Sequence, residues 1–267
     1  MDWIEALLLG LVQGLTEFLP VSSSGHLMIG RGILGIDAPE DLVFETTVHA
    51  ATVLSTVVIF RYQIRDILKG LFKFKNNDET DYVLKICVSM IPVFVVGMFF
   101  KDFVEGLFSS LTVVGAALLV TAVLLYFSGR KDSGTVGAPA HRNGISYRQA
   151  FLVGLGQAVA VIPGLSRSGT TISTGLLCGV RRDVVAQFSF LMVLVPILGE
   201  MFLDVVGGDM ASSSVGVLPL AVGFTAAFAS GLFACKAMIA LVKRAKLKWF
   251  ALYCAVVGLA VLIFQLF

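Results

Sequence analysis

Apolar stretches alternate with short polar segments along the chain, and the apolar stretches are of two kinds. Six are long enough to cross a bilayer as helices: roughly 42–60, 82–100, 107–127, 183–206, 216–241 and 249–267. A hydrocarbon core takes ~20 helical residues to span. The other two are interrupted part-way. Residues 3–19 run into Pro20-Val21-Ser22-Ser23-Ser24-Gly25-His26, and a short apolar piece then ends near Ile36. Residues 147–162 run into Pro163-Gly164-Leu165-Ser166-Arg167-Ser168-Gly169, and a short piece then ends near Val180. Each second arm has about ten residues, only ~15 Å of helix, too short for a ~30 Å core. The pattern therefore predicts two re-entrant helical hairpins, 3–36 and 147–180, each with a polar tip.

The two interrupted stretches repeat. At a constant offset of 144, Gly10 matches Gly154, Gln13 matches Gln157 and Ser24-Gly25 matches Ser168-Gly169; Gly35 then matches Gly179, and Phe44 matches Phe188. Residues 1–127 and 147–267 thus form two halves, each a hairpin plus three spans, joined by a 128–146 linker rich in Gly, Ser and Ala. A hairpin returns to its own side, whereas three spans change sides. The second half must then enter from the opposite face, which predicts an all-α integral membrane protein with an inverted-topology repeat. Charge tests the arrangement, because Lys and Arg collect in cytoplasmic loops. Arg61, Arg65, Lys69, Lys73 and Lys75, the linker's Arg130, Lys131 and Arg142 with Arg148 just beyond it, the Arg181-Arg182 pair, and Lys243, Arg244, Lys246 and Lys248 all fall on one side. That side is expected to be cytoplasmic, the linker with it, and both termini to face out. The 61–81 segment reads as a solvated loop.

Composition agrees with this class. Hydrophobic residues make up 57% of the 267 positions and charged residues 14%, too few charges to coat a water-soluble domain of this size. The net charge of +2 gives no case for a nucleic-acid partner. Cys87, Cys178, Cys235 and Cys254 lie in apolar stretches, without disulfide or zinc spacing, and read as buried filler. The start, Met1-Asp2-Trp3-Ile4-Glu5, lacks the basic region of a cleavable signal, so none is expected.

Polar, non-helical backbone at membrane depth persists only where it lines a cavity or is buried in protein. Hairpins entering from opposite faces should meet near the midplane. They would bring Ser22, Ser23, Ser24, Gly25 and His26 toward Ser166, Arg167, Ser168 and Thr171, with Glu17 one turn before the first tip. The set suits a phosphate: N–H groups at helix starts favour anions, Arg167 offers a planar fork, and hydroxyls add donors. Each member also has a structural reading, the serines as helix caps, His26 as a satisfied core residue and Arg167 as a partner of Glu17. Glu17 could hold a divalent cation bridging diphosphate oxygens or act as a base. Gln13 lies on its helix face at i−4. In the second half Gln157 is retained while Val161 replaces the acid, so the site is asymmetric. Glu45, and Ser189 at its repeat position, are further candidates for lining the cavity, with Gln13 and Gln157. Glu200 and Asp204 read as interfacial, His49 as a packing residue, Lys236 as snorkelling and His141 as a loop residue.

These motifs resemble those of the bacterial undecaprenyl-diphosphatases known from bacitracin resistance. The family's (E/Q)xxxE element corresponds to Gln13-Gly14-Leu15-Thr16-Glu17, where many members carry Glu at the first position. Its FLPVSSxGH element corresponds to Phe18–His26 and its PGxSRSxxT element to Pro163–Thr171; the likeness covers essentially the whole chain. It implies hydrolysis of undecaprenyl diphosphate to undecaprenyl phosphate and phosphate, recycling a lipid carrier for cell-wall synthesis. It also implies dependence on a divalent cation, Mg²⁺ or Ca²⁺, a place in the inner membrane, and a site open to the outer face. Ser23, His26 and a bound water stand as alternative nucleophiles, with Ser23 preferred and His26 as its general base or acid. Phosphoryl transfer needs an in-line attacker and charge neutralisation. A lipid flippase is the competing reading, since inverted repeats with broken helices are also transporter architecture. Self-association as a homodimer is left open.

Overall fold

A computed structural model describes residues 1–36, 42–130, 142–207, 215–244 and 246–266; among these the chain is helical, with no strand. The elements are α1 (Trp3–Phe18), α2 (Ser23–Leu34), α3 (Leu42–Ile59), α4 (Arg61–Leu71), α5 (Asp78–Phe99), α6 (Lys101–Leu107), α7 (Leu111–Arg130), α8 (Tyr147–Val159), α9 (Arg167–Leu177), α10 (Arg182–Met192), α11 (Leu194–Gly207), α12 (Val217–Lys243) and α13 (Leu247–Phe264). Most of the 128–146 linker, including His141, lies outside the described residues, as do the side chains of Glu200 and Asp204.

Among the described residues, five helical stretches are long and apolar enough to span a membrane, six when the bent pair α3–α4 counts as one, and they coincide with the six long apolar stretches of the sequence. Their outward faces carry large apolar side chains such as Phe94, Phe202, Phe233, Trp249 and Phe264, all more than half exposed. In water such a surface would be costly at ~25 cal/mol per Å²; against lipid it is matched.

Both interrupted stretches fold as helical hairpins, α1 with α2 and α8 with α9. Their first helices open on capping boxes. The Asp2 carboxylate accepts from the Glu5 N–H at 2.8 Å while Glu5 accepts from the Asp2 N–H at 2.7 Å. Ser146 and Gln149 exchange the same two bonds, at 3.2 and 2.9 Å, 144 residues later. This reciprocal cap satisfies two of the N–H groups that a helix start leaves orphaned. α1 lies along α12 and α8 along α5, while α7 and α13 pair behind the hairpins. Glycines set the first two contacts. A Cβ at Gly10 would run into the Gly223 backbone, one at Gly14 into the Ala227 carbonyl and the Ser230 hydroxyl, and one at Gly154 into the Ser89 carbonyl.

Several sequence expectations are corrected here. The 61–81 segment is not all solvated loop. After Phe60 the chain bends by 77° into α4, an amphipathic helix. Ile64 and Ile67 pack on the core, and Arg61 stacks on the Tyr62 ring at 4.4 Å. The 183–206 stretch breaks at Val193 into α10 and α11. Pro196 lacks an N–H and its ring would clash one turn back, so it suits the first turn of a new helix. Between the second and third long apolar stretches, Lys101–Leu107 form the short helix α6. Of the cysteines only Cys235 and Cys254 are buried; Cys87 is exposed on α5. A buried ion pair also went unread: Lys85 Nζ lies 2.5 Å from Asp81, which accepts from Tyr147 at 2.9 Å and Asn143 at 3.0 Å, tying α5 to α8.

Gly154→Val should lower the unfolding temperature and the folded yield in detergent, because overpacking costs roughly 1–3 kcal/mol where backbone cannot yield. Gly32→Ala, with nothing within 4 Å of the new methyl, should be neutral or gain up to about 1 kcal/mol. Thermal unfolding of both variants checks the contrast.

Candidate active site

The two hairpin tips touch. Ser168 Oγ donates to the Leu19 carbonyl at 3.2 Å. A Cβ on Gly25 would lie 3.1 Å from Gly164 Cα, and one on Gly169 3.2 Å from Pro20 Cβ. Each tip starts its second helix with a serine cap: Ser22 Oγ accepts from the Gly25 N–H at 3.3 Å, and Ser166 Oγ from the Gly169 N–H at 3.0 Å. Ser22 adopts φ 72°, ψ 102°, a region that costs a non-glycine residue ~1–3 kcal/mol. Its carbonyl accepts from His26 Nδ1 at 2.8 Å, which helps hold it there.

Beside the tips, Glu17, Gln157, Arg167, Ser168, Thr171 and Ser189 supply the polar wall of a cavity, facing Thr52 and Thr56 of α3. Phe18, Phe190 and Val193 form its apolar side. The cavity volume is about 20 Å³, room for one or two waters at ~10–15 Å³ each. The Glu17 carboxylate is organised through one oxygen. Oε2 accepts from Ser23 Oγ at 2.6 Å and from Gln13 Nε2 at 3.0 Å, and His49 Nε2 stands 3.8 Å away. Arg167 acts on Glu17 through its charge, yet among the described residues its guanidinium makes no ion pair within 4 Å and no hydrogen bond. Thr171 donates to the Arg167 carbonyl at 2.8 Å and stands 2.6 Å from Ser189 Oγ, fixing the turn that carries the arginine. The side-chain carbonyl oxygens of Gln13 and Gln157, repeat-related, are both buried without a partner. Such orphans cost ~1–3 kcal/mol each; of the two residues only Gln157 lines the cavity.

The structure thus brings Glu17, Ser23, Arg167, Ser168, Thr171, Gln157 and Ser189 together. It does not bring all the expected residues. The hydroxyls of Ser22 and Ser166 are engaged as caps and both residues are buried, so they shape the helix starts instead of facing the cavity. Ser24 Oγ lies beside Ser22 at 3.4 Å, and Gly25 packs on Val114 of α7. His26 turns away: Nδ1 donates to Ser22 O, and Nε2 meets the Tyr253 hydroxyl of α13 at 2.7 Å with the rings stacked. Ser23 is bonded to Glu17 and not to His26. Glu45 pairs with Arg31 at 2.8 Å and is absent from the cavity wall. Gln13 is one layer behind the wall, reaching it through Glu17. His49 is no packing residue, since it faces Glu17. Tyr253 and Thr121, which accepts from the Ser166 N–H at 3.1 Å, also went unread; neither has a local sequence signal. Among the described residues no three His, Cys, Asp or Glu side chains gather as a metal cluster.

A multi-pass helical membrane protein whose broken helices set a guanidinium, unpaired among the described residues, beside a carboxylate–hydroxyl pair is built to handle an anionic headgroup. The sequence profile described as Bacitracin resistance protein BacA matches residues 6–260, and the chain belongs to that family. It is 56% identical over 270 residues to an undecaprenyl-diphosphatase of Bacteroides thetaiotaomicron, covering 100% of both chains. It is 56% identical over 263 residues to one of Parabacteroides distasonis, covering 97% of both. A protein of the same name from Methanobrevibacter smithii is 37% identical over 276 residues, covering 98% of this chain and 97% of its own.

Inorganic pyrophosphate should raise the unfolding temperature of the purified protein, because a ligand bound only by the native state stabilises it by RT ln(1 + [L]/Kd). Arg167→Ala should abolish the shift, and Ser22→Ala, which removes a cap, should lower the baseline but keep the shift. Differential scanning calorimetry reads both.

Proposed function

We propose that this protein is an undecaprenyl-diphosphate phosphatase of the bacterial inner membrane, returning undecaprenyl phosphate to the cycle that builds peptidoglycan. The relatives named for that activity support the reading over their full length. The observation in this chain that carries it is the pairing of Ser23 with Glu17 beside Arg167, which among the described residues makes no ion pair within 4 Å.

The chemistry follows from that arrangement. Arg167, with the first N–H groups of α9, receives the diphosphate; its fork matches two phosphate oxygens. Ser23 Oγ attacks the terminal phosphorus and its proton passes to Glu17, 2.6 Å away. The bond from that phosphorus to the bridging oxygen breaks, and undecaprenyl phosphate leaves. Water then opens the phosphoserine, releasing phosphate and restoring the hydroxyl. His26 holds the strained Ser22 turn and so positions Ser23. A divalent cation fits this donor set. Glu17 would hold it, its Oε1 making no hydrogen bond among the described residues, and the orphaned Gln13 oxygen belongs to the residue bonded to Glu17. When bound, such an ion neutralises charge on the diphosphate.

The inverted repeat belongs to the same proposal. Matching caps at Asp2 and Ser146, matching serines at both tips, and the reciprocal packing of α1 on α12 and α8 on α5 support two halves of opposite orientation. So does the Lys and Arg bias, with both termini and the site's opening on the outer side.

Phosphate release from undecaprenyl diphosphate by detergent-purified protein, with and without chelator, tests the activity; a flippase releases none. Arg167→Ala should lower turnover ~10²–10³-fold, with Arg167→Lys recovering little because an ammonium lacks the fork. Glu17→Gln should lose ~10²–10⁴-fold, with Gln13→Ala milder. Rapidly quenched wild-type enzyme should yield phosphoserine at Ser23 by mass spectrometry; phosphohistidine would reassign the nucleophile. For orientation, a single cysteine replacing Asp102 should react with an impermeant thiol reagent from outside, and one replacing Lys75 should not. The reverse pattern would overturn the topology.

A further inference from the structure

Two consecutive residues of the last helix bond the first hairpin tip on both of its flanks, and the chemistry above uses neither. Cys254 Sγ donates to the Pro20 carbonyl at 3.5 Å, just before the serines of the tip. The Tyr253 hydroxyl meets His26 Nε2 at 2.7 Å, just after them, with the two rings stacked at 5.6 Å. The other ring nitrogen, Nδ1, donates to the Ser22 carbonyl at 2.8 Å. His26 is thus clamped at both nitrogens. The clamp does not depend on the charge of the ring, because a phenol hydroxyl can donate to a bare Nε2 or accept from a protonated one. It closes on a strained residue. Ser22 sits at φ 72°, and such a backbone persists only where its surroundings over-determine it. The next residue, Ser23, carries the hydroxyl bonded to Glu17 at 2.6 Å.

α13 is a firm base for the clamp. It lies along α7 with glycine against glycine: a Cβ on Gly258 would stand 2.8 Å from the Gly115 carbonyl oxygen. Val114, the neighbour of Gly115, packs on Gly25 and Gly164 of the two tips. We propose that Tyr253 is a positioning residue for the phosphatase reaction: through His26 it holds the Ser22 turn, and so keeps Ser23 Oγ on Glu17 and aimed at the diphosphate. Tyr253 is absent from the cavity wall. Its effect therefore falls on the rate of attack and not on binding, which belongs to Arg167 of the other tip. This inference rests on the reading of Ser23 as the nucleophile.

Tyr253→Phe tests it, because it deletes one hydroxyl and keeps the ring stack. In detergent with undecaprenyl diphosphate, kcat should fall on the order of tenfold, since a small misplacement of a reacting group is costly in rate. KM and the unfolding temperature should stay close to wild type, and rapid quench should show phosphoserine forming more slowly. In a His26→Gln background the same substitution should cost nothing further, because residues that act through one contact are not additive. An unchanged kcat, with phosphoserine still formed by wild-type enzyme, overturns the role of Tyr253 and leaves Ser23 standing. A loss that persists in full in the His26→Gln background shows that Tyr253 does not act through His26, and overturns it too. So does a loss matched by a rise in KM or a fall in folded yield, which would make Tyr253 a binding or packing residue. Wild-type enzyme that turns over without phosphoserine overturns the reading of Ser23, and this proposal with it.

Discussion

The contact between the two hairpin tips governs the rest of the molecule. Helices α2 and α9 are too short to cross a bilayer, so each begins inside protein, where a bare N–H has no water to turn to. The serine caps answer part of that demand. The bond from Ser168 to the Leu19 carbonyl answers another part and joins one tip to the other. Glycine at 25, 164 and 169 lets the backbones come close enough for it. Once the tips are joined, Arg167 of one hairpin stands beside Glu17 of the other.

That juxtaposition leaves opposite charges side by side without an ion pair. A closed pair would bury both charges against each other and leave little for a ligand to gain. Here Glu17 is instead held by Ser23 and Gln13, neutral groups, and Arg167 remains available. The arrangement keeps a cation ready for a polyanion while tuning the carboxylate to a neighbouring hydroxyl. The cavity holds only a water or two, so admitting a diphosphate requires its walls to part. Val193, the break between α10 and α11, lies in that wall.

Much of this was legible in the sequence, for identifiable reasons. The spans show as apolar length and the hairpins as interrupted length, and the repeat shows in matched glycines, Gly10 and Gly154 pressed against neighbouring backbone and Gly35 and Gly179 at positive φ. Arg167 and Glu17 were legible because charge at membrane depth is rare. The direction of side chains was not. A Ser-x-x-Gly start reads equally as a phosphate cradle or a cap, and Ser22 and Ser166 proved to be caps. Nothing local says that His26 turns toward Tyr253, more than two hundred residues away, or that α3 presents His49 and not Glu45 to Glu17. α4 was hidden because its many charges mask the spacing of Ile64 and Ile67, and the break at Val193 because hydropathy is blind to a proline's missing N–H.

The glycine seams have a consequence for how such a chain can be divided. Because α1 is fitted against α12 and α8 against α5, neither half of the sequence contains the surface on which its own hairpin rests. A half synthesised alone would present a glycine-lined groove and a polar tip to lipid, with no mate for either. Two separate half-length chains would have to find each other in the same membrane before either hairpin could settle. The single polypeptide turns that encounter from a bimolecular event into a tethered one.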